Sequence, residues 1–92
     1  MQESNILEEA LDILGEKAMV IAMEELSELI QAISKMIRGK ENINNLVEEY
    51  ADVLICLSLV SKYYNLDKSA IESVAEYKIN RMKTRIENNE LK

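Results

Sequence analysis

Residues 16–37 read EKAMVIAMEELSELIQAISKMI, with no glycine or proline in the run. Apolar residues recur at three- and four-residue steps, which predicts one long amphipathic helix from Glu16 to Ile37. At 1.5 Å per residue such a helix is roughly 33 Å long. With successive side chains turned by about 100°, Ala18, Ile21, Ala22, Leu26, Leu29, Ile30, Ile33, Met36 and Ile37 sweep one broad arc that faces a core. Glu24, Ser27, Gln31, Ser34 and Arg38 form the solvated side. Glu25 falls inside the apolar arc and Glu28 on its edge, so two acids one turn apart point inward. A carboxylate in such surroundings is costly unless it is paired or coordinated.

The chain on either side also reads as helix. Arg38-Gly39 gives a basic last turn and a glycine stop. Residues 40–44, polar apart from Ile43, form a connection. Asn45 with Glu48 forms a capping pattern, with a start two or three residues earlier as the alternative, and the third helix runs to about Tyr64. That helix is apolar almost all round, from Leu46 and Val47 to Leu59 and Val60, so it is expected to be buried on more than one side. Glu49 and Asp52 are set into it. Upstream, Asn5 with Glu8 reads as a capping box opening a short helix to about Leu14, and Gly15 weakens or bends the path. Downstream, Asn65 suits a helix exit and Asp67 the cap of a fourth helix reaching the late eighties. Short connections imply antiparallel neighbours. The expected fold is a single all-α domain over residues 1–92, an antiparallel bundle of about four helices. The surplus apolar surface of the third helix predicts at least a dimer.

Composition closes off other classes. With two glycines and no proline, tight hairpin turns are unsupported, and no glycine-rich phosphate loop exists. Histidine is absent and cysteine occurs once, which removes Ser-His-Asp and Cys-His catalysis and argues against zinc. A formal charge of −6 argues against polymeric nucleic acid and anionic membrane as main partners. Apolar runs such as Val53 to Leu57 are far too short to span a bilayer. The acidic N-terminus carries no secretory pattern and Cys56 has no partner for a disulfide, so a reducing cytoplasm is the expected setting.

The two acid pairs share one pattern, Glu25-x-x-Glu28 and Glu49-x-x-Asp52. Measured from the turn of an antiparallel hairpin, Glu28 and Asp52 come out nearly level, with Glu25 and Glu49 flanking them. Four like charges facing one cleft repel strongly, so some are protonated or cations sit among them. Hard oxygen donors without nitrogen or sulfur favour Mg²⁺, with Mn²⁺ as a substitute. The fourth helix supplies the opposite sign: Lys78 is centred on its apolar stripe of Ile71, Val74, Ala75, Met82 and Ile86, bordered by Arg81 and Arg85. Acids that bind metal, with basic groups nearby, suit a phosphate chain.

EELSEL at 24–29 followed by EEYADV at 48–53 resembles the MazG-like, all-α nucleoside triphosphate pyrophosphohydrolases, whose signature is E-x-x-E, a gap of variable length, then E-x-x-D. The likeness covers roughly residues 16–86. It implies Mg²⁺-dependent cleavage of a nucleoside or deoxynucleoside triphosphate into monophosphate and pyrophosphate, by a homodimer or homotetramer of a four-helix core. Carried onto this chain, it makes Glu25, Glu28, Glu49 and Asp52 the metal ligands and catalytic carboxylates, one of them activating water directly or through a second carboxylate. It also makes a downstream Lys with Asn or Arg the phosphate contacts. Here that region reads KINR at 78–81, where the family more often has K-x-x-x-N-x-x-R. Asn80 falls on the far side of the helix from Lys78, which selects Lys78 and Arg81 as the phosphate-binding pair.

Plainer roles stand beside these. The acids could be surface groups or salt-bridge partners of Lys78 and Arg81, and Lys78 could snorkel to water. Tyr50, Tyr63, Tyr64 and Tyr77 are expected in core or rim packing ahead of stacking on a base. Cys56 reads as a small core residue, and Met19, Met23, Met36 and Met82 as gap fillers. The rival to an enzyme is a non-catalytic helical interaction module that keeps the acidic pattern.

Overall fold

The computed structural model describes residues 2–40 and 42–91. Four helices follow one another: α1 (Gln2–Leu14), α2 (Lys17–Ile37), α3 (Ile43–Tyr63) and α4 (Lys68–Glu87). The described residues contain no strand, as the all-α reading requires. α1 begins three residues before Asn5, so Asn5 lies within the helix and does not cap it. Nothing between Gln2 and Asn5 breaks a helix, and Gln and Glu are good helix formers, so the first turn extends past the capping signal.

Each boundary has a local cause. Gly15 sits at φ 55, a left-handed conformation that costs other residues energy, and its amide bonds back to the Leu11 carbonyl at 2.8 Å. α2 closes in the same way at Gly39 (φ 70): the Gly39 and Lys40 amides donate to the Met36 and Lys35 carbonyls. The same paired closure ends α3 at Asn65 (φ 51), where the Asn65 and Leu66 amides reach the Lys62 and Ser61 carbonyls. α3 starts on Asn42, whose Oδ1 accepts the Asn45 amide at 2.8 Å, three residues before the Asn45 signal. Asp67 takes the N-cap place of α4 and accepts a hydrogen bond from the Ser69 hydroxyl at 2.9 Å.

α2 and α3 form the main hairpin, and α1 packs against both. Ala18, Ala22 and Ala32 are buried along α2 and let α3 approach closely; Val53, Cys56 and Leu59 are buried opposite. Ala18, Met19 and Leu59 make the central cluster, under Leu7, Leu11, Leu14 and Val60. Only the middle of the apolar arc of α2 is used this way. Its far edge stays open, with Ile30 68% and Ile37 82% exposed. The outer side of α3 is open too: Val47, Tyr50, Leu54, Ile55 and Leu57 all face solvent.

α4 does not complete a bundle within one chain. Among the described residues it makes no packing contact with α1, α2 or α3, and Ile71, Val74, Met82 and Ile86 are exposed along it. The radius of gyration is 16.5 Å, where a closely packed domain of this length has about 12 Å. The expected fillers divide accordingly. Met19 and Cys56 are buried, whereas Met23, Met82 and the four tyrosines are exposed, because no other helix covers the faces that carry them. No described helix is long and apolar enough to cross a membrane.

Candidate active site

Glu25 and Glu28 stand one turn apart on α2, and Glu49 and Asp52 one turn apart on α3. The hairpin brings them face to face. One carboxylate oxygen from each of Glu25, Glu49 and Asp52 lies within 4.8 Å of the other two. Glu28 adjoins this group from the exposed edge, its carboxyl beside that of Glu49, while Asp52 lies beside Glu25. The pairing is therefore Glu28 with Glu49 and Glu25 with Asp52, which corrects the level placement of Glu28 and Asp52. Counting from the turn assumed that both helices end at one height. Lys35 and Asn42 border the same cavity, so α3 begins below the end of α2 and every pair shifts by a turn.

Burial and like charge act together here. Glu25 and Glu49 are half-buried, and Oε2 of each is shut off from solvent without a hydrogen-bond partner. Burial raises the Glu25 carboxyl above its ordinary value, with the charges of Glu28, Asp52 and Glu49 adding to the shift. Burial likewise raises Glu49, followed by the charges of Glu28 and Asp52. Beneath them, burial pushes the Cys56 thiol up, helped by the charges of Glu25 and Asp52, so it stays neutral and unreactive. No lysine or arginine is among the charges that shift Glu25 or Glu49.

A cation would offset acceptors that face acceptors. An octahedral ion with oxygens at about 2.1 Å spans about 4.2 Å from one ligand to its opposite. Three oxygens within 4.8 Å of one another fit such an ion after a small inward movement, and two of the residues carry a buried oxygen with no other use. The donor set is all oxygen, which suits a hard divalent cation.

A polar cavity of about 500 Å³ opens beside the cluster, bordered by Glu28 and Glu49 together with Gln31, Lys35, Asn42 and Asn45. Sequence reasoning placed Gln31 on the solvated side and gave Lys35 no role. The available signal was spacing: Gln31 and Lys35 follow Glu28 by three and seven residues, along one helix face. Glu24 and Glu48 are exposed, and the charge of Glu48 adds to the shift of Glu49. Lys78 and Arg81 are exposed on α4, which touches neither α2 nor α3, so one chain does not join them to the acids.

A family model described as the MazG nucleotide pyrophosphohydrolase domain matches residues 14–89 of the 92. No curated protein and no solved structure matches the chain.

Proposed function

The chain belongs to the MazG nucleotide pyrophosphohydrolase family, and from that premise we propose that it hydrolyses a nucleoside or deoxynucleoside triphosphate to the monophosphate and pyrophosphate. The observation that carries the reading is the set of carboxylate oxygens of Glu25, Glu49 and Asp52 within 4.8 Å, two of these residues holding a buried, unpartnered oxygen. Surface acids without a task spread into water; these are held together against their own repulsion.

Glu25, Glu28, Glu49 and Asp52 would hold Mg²⁺, or Mn²⁺ in its place, and the bound ion supplies charge neutralisation for the phosphate chain. The remaining work falls to the chain's own groups. Water adds across the anhydride between the α- and β-phosphates, its oxygen bonding to phosphorus as the bridging P–O bond breaks. A carboxylate of the cluster takes the water's proton, and the raised affinity of Glu25 and Glu49 for protons suits them to that role. Pyrophosphate leaves with the bridging oxygen.

Lys78 and Arg81 serve the phosphates from a second copy of the chain. The exposed stripe of α4, with Ile71, Val74 and Met82, has no cover within its own chain, and neither does the apolar outer side of α3. Docking such surfaces against each other in a homodimer or homotetramer buries both and carries the cations of α4 toward an acidic partner face. The lone Cys56, buried and reduced, suits a cytoplasmic setting.

The test is pyrophosphate release from a panel of ribo- and deoxynucleoside triphosphates with Mg²⁺, for wild type and Glu49→Gln. Release by wild type with a loss of roughly a hundredfold or more in the variant supports the reading. Equal activity in both removes the proposed site. The same exposed apolar surfaces also fit a non-catalytic interaction module, and that reading predicts no release from either protein.

A further inference from the structure

The cavity at the connection end of the α2–α3 hairpin has a chemistry different from that of the acid cluster it adjoins. Beyond Glu28 and Glu49 its polar border consists of three carboxamides, Gln31, Asn42 and Asn45, and one cation, Lys35. Ala32, with its small buried side chain, forms part of the wall. Lys35 lies seven residues beyond Glu28, about 10 Å along the helix axis. No ion pair ties it to any described carboxylate.

A phosphate chain presents only acceptors and several negative charges. Away from the ion that the acids would hold, a single cation on this border leaves most of that charge unmatched. Carboxamides offer donors and acceptors side by side, which matches the edge of a heterocyclic base. The volume of about 500 Å³ admits a base with its sugar. Lys35 offers donors only, so it favours a base that turns a carbonyl oxygen toward it over one that turns an amino group.

We propose that this cavity is the base-recognition subsite of the pyrophosphohydrolase, with Gln31 and Asn45 holding the base edge beside the α3 cap at Asn42, and Lys35 selecting keto bases, uracil and guanine, over amino bases, cytosine and adenine. The proposal rests on the pyrophosphohydrolase reading, which fixes the phosphates at the acids and leaves the base to extend along the hairpin. A wrong base then leaves Lys35 facing a second donor, the kind of mismatch that discriminates strongly.

The experiment measures kcat/KM for UTP, CTP, GTP and ATP and their deoxy forms with Mg²⁺, for wild type, Lys35→Met, Lys35→Arg and Ser34→Ala. Position 35 is exposed, so the variants keep the fold, which circular dichroism checks. Wild type is expected to favour the keto member of each pair. Lys35→Met should lower that preference by about tenfold, the worth of one hydrogen bond to a charged group; Lys35→Arg should recover most of it, and Ser34→Ala should leave it alone. A ratio is the right readout, because a lost positive charge near bound metal would lower all substrates alike. Calorimetric titration with UMP and CMP reads the same preference without turnover. A wild type that favours amino bases, or ratios moved less than twofold by Lys35→Met, overturns the subsite and leaves the pyrophosphohydrolase standing. A wild type that releases pyrophosphate from no member of the panel overturns both.

Discussion

Addition of Mg²⁺ should stabilise this protein, and more so at high pH. The perturbation is a Mg²⁺ titration of the metal-free protein at fixed protein concentration, run near pH 5 and near pH 8. In the folded state the Glu25 and Glu49 carboxyls are raised above their ordinary value of 4.5 by burial and by their acidic neighbours. A raised carboxyl means that the folded state binds more protons than the unfolded state. Without metal, the contribution of these two groups to stability is therefore greatest at low pH and declines as pH rises from about 4.5 through the folded-state values. Above that window both carboxylates are charged and the full penalty is present. Metal binds the charged form, so its effect grows over the same range. At a hundredfold excess over the dissociation constant, linkage gives about 2.7 kcal/mol. For a domain of this length that corresponds to a rise in melting temperature on the order of 10–20 °C. Differential scanning fluorimetry or calorimetry reads it directly. Glu49→Gln removes one of the facing charges, so the metal-free variant should melt above the metal-free wild type near pH 8 while losing most of the Mg²⁺ response. A flat Mg²⁺ titration, or metal-free stability that increases from pH 5 to pH 8, would refute the cluster as a cation site.

Subunit complementation tests the source of the phosphate-binding cations. Glu49→Gln and the double variant Lys78→Met/Arg81→Met should each be inactive alone; mixed in equal amounts and allowed to exchange as dimers, they should recover about a quarter of wild-type pyrophosphate release, one intact site in each mixed dimer. No recovery after subunit exchange confirmed by native mass spectrometry would place Lys78 and Arg81 outside the partner's site. Gly15→Ala should destabilise the protein by about 1–2 kcal/mol in urea denaturation with no change in activity, because an added Cβ meets nothing within 4 Å and only the positive φ is strained.

Much of the hairpin was legible in the chain itself. The acids at 25, 28, 49 and 52 stood out because helical periodicity assigns each residue a face, and these were charged residues on or beside apolar faces. The ends of α2, α3 and α4 were legible because capping chemistry is local: a glycine or asparagine with positive φ, or an asparagine accepting an amide three residues on, leaves its mark in neighbouring letters. The start of α1 was misjudged for a related reason. A capping signal at Asn5 states only that a helix is able to begin there, and the preceding residues were equally able to continue it.

Which acid faces which depends on the height at which α3 packs against α2, a relation between two helices. The cavity beside the acids, with Gln31 and Lys35 on its border, exists only because two helices meet at that register. The separation of α4 from the rest was equally invisible, since an apolar stripe announces that something will cover it without naming what. Periodicity and capping are short-range properties of one helix and can be read from adjacent residues. Register, cavity and cover are relations between helices, settled by the packing of side chains far apart in the chain.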